Sequence, residues 1–489
     1  MRIFRQQKTN KPNKANLFLG LLLIASPWIL LFITTNLIAH HSVFSSVPCW
    51  SDELSYWHEV LSFTHKGLNV GYSTLNENTP KFLAFGTHGF GTVTVYTLFA
   101  KVFGWKVYSI VIANAFFMSL AFLMLILTVK PGSRNLLLII IFSLTYTPLV
   151  LYASTSMSEL LNFSLIIVYA GLLTAYSKQG GKNLLVILLL FCTAISFVRI
   201  IYVILFMPLL FKRKNGVRFD FKLLIYFVLW IVFSALLFVL NSLFVSPYPD
   251  SYLNELFSGN GIANFATSFA SHFVENSWNF VNPISENIIQ VLQRYFLIAI
   301  SGICLVKSNA IQSRFKKIEI DYFIVFLMLI SFLAVNVAAY DIFDWRDYRV
   351  LAPVLFGGIL YLILNNKFPV LYSSLAVNFI GFFFLLISPQ LMESFNKDRY
   401  SAPVNNTLLQ HIEYTEHSKS PFENTVVVQQ FNTNVVLNIP AGIGITYAEV
   451  LSDKLNSKYL FSENKLTLST YKIIDSNETG YLYQKIANN

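Results

Sequence analysis

The feature that most constrains this chain is a succession of apolar runs, each near the length needed to cross a bilayer. Leu17–Ile38, Tyr108–Val129, Leu160–Tyr176, Leu223–Val245, Ile288–Val306, Tyr322–Ala339 and Phe368–Ser388 carry almost no charge. About 20 apolar residues span the ~30 Å hydrocarbon core as a helix, the one single-segment structure that satisfies its own backbone there. Shorter runs at Leu136–Tyr152, Leu184–Val198, Ile200–Phe211 and Val350–Leu364 bring the set to about eleven spans. The composition agrees: 55% of residues are hydrophobic, 12% are charged, and mean hydropathy is +0.57. A soluble globule, a collagen-like fibre and a disordered chain are excluded. The predicted fold class is mainly α, a polytopic membrane helix bundle.

The net charge of +10 could point to nucleic acid, but the basic residues sit in short segments between the runs rather than in a soluble patch. That distribution marks cytoplasmic loops. Arg2, Arg5, Lys8, Lys11 and Lys14 precede the first run, which is longer than a signal core and has no small-residue cleavage site. It is therefore expected to be an uncleaved span with its N-terminus in the cytoplasm. Lys130 and Arg134, Lys178 and Lys182, Lys212 to Arg218, Lys307 to Lys317 and Lys367 then all fall on the inner side. The alternation holds only if Leu184–Phe211 is two short helices meeting at Arg199. A single straight span would place that arginine in lipid at a cost of several kcal/mol, roughly 3 or more.

This orientation puts four pieces on the outer face: the first loop, 39–105; the segment from Ser246 to about Asn287; Asp341–Arg349; and the tail from 390. The tail holds 8 basic and 10 acidic residues, a net of −2 against +12 for the rest. Thr425-Val-Val-Val-Gln-Gln and Asn434-Val-Val-Leu-Asn-Ile read as strands. The predicted organisation is a transmembrane domain over 1–389 and a small α+β extracytoplasmic domain over 390–489. Three cysteines, Cys49, Cys192 and Cys304, form no CxxC pair.

The first outer loop carries the densest chemistry: Cys49-Trp-Ser-Asp52-Glu53-Leu-Ser-Tyr56-Trp-His58-Glu59. Two adjacent carboxylates after a span suit a helix start, with Ser51 or Asp52 as cap and Glu53 in the first turn. A carboxylate there can equally act as a base towards a hydroxyl. Thr87-His88-Gly89-Phe90-Gly91 lacks the strand–turn–helix context of a dinucleotide site, and no GxxxxGK[ST] is present. Thr92–Phe103 reads as an amphipathic interfacial helix. Ser154-Thr-Ser-Met-Ser158-Glu159 opens a span, and Glu159 is explained either as a cap residue or as a site acid. Arg346 and Arg349, in Asp341-Ile-Phe-Asp344-Trp-Arg-Asp347-Tyr-Arg, could clamp a phosphate or pair with the neighbouring aspartates. Five of the eight histidines lie between His40 and His88, but their spacing matches no zinc pattern.

A basic-flanked first span, an Asp-Glu pair followed by Tyr, and a His-led apolar stretch ending in Phe103-Gly104 together resemble the GT-C integral-membrane glycosyltransferases. The resemblance is to the protein O-mannosyltransferase and aminoarabinose transferase branch. It implies transfer of a sugar from a polyprenyl-phosphate carrier to a glycan, lipid or protein acceptor on the outer face of the plasma membrane. Asp52 is implied as the base with Glu53 beside it. Tyr56, His88, Glu159, Arg199, Arg346 and Arg349 are implied as substrate-binding residues. Relatives commonly carry prolines after the histidine, where this chain has Gly89-Phe90. No cofactor and no metal are expected; some GT-C branches use a divalent ion, which would fall at Asp52 and Glu53, whereas this branch generally does not. Two other readings fit the spans: a transporter or flippase of lipid-linked sugars, and a non-catalytic polysaccharide-assembly subunit that docks partners through its tail. The first would show inverted repeats and paired broken helices, which the sequence does not display.

Overall fold

The structure is a computed structural model. It describes residues 14–67, 73–75, 77, 85–86, 89–210, 221–245, 262–282, 288–309, 318–339, 348–367, 376–383 and 398–486. The chain is mainly helical, with one small sheet. Among the described residues, five helices are long and apolar enough to cross a membrane: Lys14–Ile38, Ser109–Val129, Glu159–Gln179, Leu224–Ser242 and Ile320–Ala338. The expected run Phe368–Ser388 lies largely outside the described residues.

The first helix, α1 (Lys14–Phe32), runs on as a π-turn over Ile33–Ile38. The Thr34 and Thr35 hydroxyls donate back to the Leu30 and Leu31 carbonyls at 3.0 and 2.7 Å, supplying local partners in an apolar stretch. The loop that follows holds α2 (Ser51–Lys66), β1 (Ser73–Leu75) and α3 (Phe90–Phe103). α3, expected to be amphipathic, buries Val93, Tyr96, Phe99 and Ala100, but Leu98, Val102 and Phe103 are exposed, so its outward face is largely apolar too.

The bundle is centred on α7 (Glu159–Gln179), which packs against α4 (Ser109–Val129) and α14 (Tyr348–Leu364). Small residues permit the approach. Gly171 faces the Leu125 backbone, and a Cβ on Gly357 would come within 2.1 Å of Ile166 Cγ2. Polar ties fix the same helices. Asn114 of α4 donates to the Met157 carbonyl at 2.9 Å and accepts the Tyr96 hydroxyl at 2.6 Å.

Leu136–Tyr152, read as one span, is two helices. α5 (Ser133–Thr145) and α6 (Thr147–Tyr152) part at Tyr146, whose ψ is 106°. Pro148 lacks an N–H and its ring obstructs the preceding turn, so it starts a new helix instead of continuing the old one. The predicted break at Arg199 is present. α8 (Lys182–Val198) ends there with the arginine at φ −151°, and a 3-10 segment, Ile200–Phe206, turns back alongside α8.

The tail is α+β. Strands β2 (Thr425–Val428), β3 (Gly444–Tyr447), β4 (Tyr459–Ser462), β5 (Tyr471–Asn477) and β6 (Gly480–Lys485) form a sheet in the order β1-β3-β2-β4-β6-β5. Its edge strand, β1, comes from the first loop and pairs parallel with β3. The Asn434–Ile439 stretch, read as a strand, instead opens within a helical turn, Thr433–Val436. The Asn432 side chain caps that turn by accepting Val435 N–H at 3.1 Å, and a strong local cap outweighs β-branched propensity over so short a run.

Candidate active site

The site begins at the first turn of α2. Trp50 is the cap residue, rather than Ser51 or Asp52, and its extended backbone turns Ser51, Asp52 and Glu53 into the helix. Successive helix residues point about 100° apart, so adjacent carboxylates diverge. Asp52 stays partly open, with its side chain 39% exposed. Glu53 is fully buried.

Asp52 meets three other elements. Arg349, at the start of α14, places Nη2 3.3 Å from Asp52 Oδ2 and Nε 4.0 Å from Glu159 Oε1. The arginine therefore bridges two acids on separate helices; its neighbouring aspartates, Asp341, Asp344 and Asp347, lie outside the described residues. Glu159 is the first residue of α7 and is buried. Tyr56, one turn along α2, is buried beside Asp52 and Glu159 and hydrogen-bonded to the Ser158 side chain. Burial and the two acids raise the Tyr56 phenol well above its usual range, so it remains a hydroxyl donor. Arg199, at the apex of the re-entrant pair, is 8% exposed and acts electrostatically on Tyr56 and Glu159. The bend thus buries its guanidinium within electrostatic range of Glu159 and Tyr56. Five of the expected residues, Asp52, Tyr56, Glu159, Arg199 and Arg349, are brought together. His88 and Arg346 lie outside the described residues.

Glu53 has a different environment. Its Oε1 lies 2.8 Å from Arg399 Nη1 and accepts the Ser156 N–H at 2.9 Å. Its Oε2 accepts Arg399 Nη1 at 3.0 Å and the amides of Cys49 and Trp50 at 2.8 and 3.2 Å. Arg399 is fully buried, and its guanidinium lies 5.1 Å from the Trp50 ring. Nothing in the sequence singled out Arg399, because a lone arginine in a polar tail has no local signature.

Two further ties join the first loop to the tail. His58 Nε2–H donates to the Ile443 carbonyl at 2.8 Å, and burial pushes the imidazole down to about 4, so it is held neutral. Glu77 accepts the amides of Asn456 and Ser457, both at 2.6 Å. Glu59 accepts the Gly86 N–H at 2.7 Å, and burial pushes its carboxyl up to about 8. Among the described residues, no three His, Cys, Asp or Glu side chains converge as a metal-binding group would require.

No family model and no curated protein matches this sequence. Solved structures do resemble it, three among them as follows. The archaeal oligosaccharyltransferase AglB from Archaeoglobus fulgidus, in complex with an inhibitory peptide and a dolichol-phosphate, aligns with a TM-score of 0.50 at 14% identity, over 92% of this chain and 70% of that one. The same organism's oligosaccharyltransferase tethered to an acceptor peptide containing the NVT sequon gives 0.47 at 12% identity, over 92% and 69%. ArnT from Cupriavidus metallidurans bound to undecaprenyl phosphate gives 0.45 at 11% identity, over 96% and 98%. The fold is GT-C-like. At this identity the likeness concerns architecture alone, and what the site does must be argued from its own side chains.

Proposed function

We propose that this chain is a membrane glycosyltransferase that moves a sugar from a polyprenyl-phosphate carrier to an acceptor hydroxyl of a glycan, lipid or protein, with inversion, on the outer face of the plasma membrane. The observation that carries the reading is the bridge of Arg349 between Asp52 and Glu159, with Tyr56 beside both acids and Arg199 acting electrostatically on Glu159. A carboxylate that keeps solvent access beside a half-buried arginine, with a second, buried arginine nearby, is what hydroxyl activation next to a phosphate requires.

In this mechanism Asp52 accepts the proton as the acceptor O–H adds to the anomeric carbon. The bond from that carbon to the carrier's phosphate oxygen breaks, and its electron pair leaves with the phosphate. General-base assistance of this kind is worth roughly 10²–10⁴-fold. Arg349 and Arg199 stabilise the charge that grows on the departing phosphate, and a guanidinium fork matches two of its oxygens. The prenyl chain stays in lipid between apolar helices. AglB, of the same fold, was solved with a dolichol-phosphate, which supports a carrier of this chemical class.

The test is binding of undecaprenyl phosphate to the purified protein in nanodiscs, read by native mass spectrometry. Binding that requires the phosphate, and that weakens about 10-fold in Arg349→Lys because a point charge replaces the fork, is expected. Equal retention of undecaprenol and its phosphate contradicts the proposal.

A further inference from the structure

We propose that Arg399 of the tail is a positioning residue for transfer: through Glu53 it fixes the distance between the Asp52 and Glu159 segments on either side of Arg349. The inference rests on the glycosyl-transfer reading above, and it assigns a role to a residue 346 positions along the chain from its partner Glu53.

The carboxylate of Glu53 joins three separate pieces of chain. Its contacts to Cys49 and Trp50 secure the first turn of α2, the turn that carries Asp52. Its contact to Ser156 secures the segment three residues before Glu159. Its remaining capacity goes to Arg399 Nη1, at 2.8 and 3.0 Å. Glu53 and Arg399 are both fully buried, so neither charge can be satisfied by water if the other is lost. The neighbours of Arg399 extend the tie. Its carbonyl accepts the Val47 N–H at 2.8 Å, and Tyr400 stacks on His41 with ring centroids 4.4 Å apart. The tail thus grips the approach to α2 directly and the approach to α7 through Glu53, and the two acids bridged by Arg349 are held by one buried ion pair.

The arrangement also explains the divergence of two adjacent acids. Asp52 has an arginine that it shares with Glu159 and retains solvent access, whereas Glu53 has an arginine of its own and none. A buried pair is not needed for stability alone, because apolar side chains of similar volume often serve as well. Its value here is geometric: it gives the first turn of α2 one seat relative to α7.

Three variants test this: Arg399→Lys, Arg399→Met and Glu53→Gln, each checked for an unchanged elution profile. Two readouts are used. The first is sugar transfer from a labelled polyprenyl-phosphate sugar, with undecaprenyl phosphate binding measured in parallel. Arg399→Met and Glu53→Gln should lower kcat by about 10–100-fold while lipid binding stays within about 3-fold. Arg399→Lys, which keeps the charge, should recover a substantial part of kcat. The second readout needs no activity: the rate at which a thiosulfonate labels Asp52→Cys in a Cys49→Ser background. Removing Arg399 should raise that rate about 10-fold or more as the turn loosens. If wild type transfers no sugar but labelling responds as stated, the functional reading fails and the positioning role stands. If a folded Arg399→Met leaves both readouts unchanged, or lowers lipid affinity and kcat together, the positioning role is overturned. Should Arg399→Met not fold, Glu53→Gln, which keeps the side chain's size, decides by the same criteria.

Discussion

At the scale of residues, Asp52 and Glu53 show how far local sequence can reach. The pair stood out because two acids following a span, with Tyr56 one turn on, suit both a helix start and a base. Their separate fates did not show, because the partner that claims Glu53 lies 346 positions away. Arg349 was legible as a phosphate-clamp candidate for its residue type. Its bridge to Asp52, across 297 positions, was not. His58 and Glu59 give a prediction at this scale. His58 stays neutral down to about 4 against an ordinary 6.5, so the unfolded chain binds the extra proton between those values and stability falls as pH drops through them. Glu59 stays protonated up to about 8 against an ordinary 4.5, so the folded chain holds the extra proton and stability falls as pH rises from 4.5 to 8. The two slopes oppose each other between 4.5 and 6.5. Thermal unfolding should show a plateau there and decline on both sides, by about 2 kcal/mol from Glu59 on the alkaline limb to pH 8. Glu59→Gln should flatten the alkaline limb, and an unchanged limb would refute the assignment.

Elements were more legible than residues, for stated reasons. The break at Arg199 followed from the cost of a charge in lipid together with the count of basic loops. The helix α3 followed from its run of apolar residues, though its outward face is largely apolar too. The break at Tyr146 was missed because the apolar run continues straight through Pro148, and hydropathy does not register a missing N–H. Close packing between elements gives a second prediction. A Cβ on Gly91 would fall 2.1 Å from the Phe197 carbonyl oxygen and 2.6 Å from Val198 N, both backbone atoms beside Arg199. Gly91→Ala must therefore push α3 away from the end of α8, at a cost of about 1–3 kcal/mol, and should reduce transfer by displacing Arg199. Gly357→Ala, against a side-chain methyl of Ile166, should cost stability between α7 and α14. Gly132→Ala, with nothing within 4 Å of its Cβ, should stay within about 0.5 kcal/mol of wild type. Melting temperatures of the three variants check this order, and equal effects at Gly91 and Gly132 would contradict it.

At the scale of the whole molecule, the tail and the first loop form one body. Composition marked the tail as a separate, more acidic piece, and the sheet is there as expected. What composition could not reveal is that its edge strand, β1, is donated by the loop that carries Asp52, since a three-residue strand has no periodicity to read. Removing the tail takes away the partner of β1 and leaves Glu53 buried without its arginine, a loss of about 3–5 kcal/mol from the ion pair alone. Truncation before Asp398 should therefore give protein that elutes as aggregate in detergent. A truncated chain that elutes as a single peak and retains transfer would show that the tail is dispensable.

The central claim is that Asp52 activates an acceptor hydroxyl for attack on a carrier-linked sugar. The most direct measurement is single-turnover transfer from a panel of labelled polyprenyl-phosphate sugars, comparing wild type with Asp52→Asn at matched carrier occupancy. The account predicts transfer by wild type and a loss of roughly 10²-fold or more in Asp52→Asn with the carrier still bound. Near-normal turnover in Asp52→Asn would contradict it.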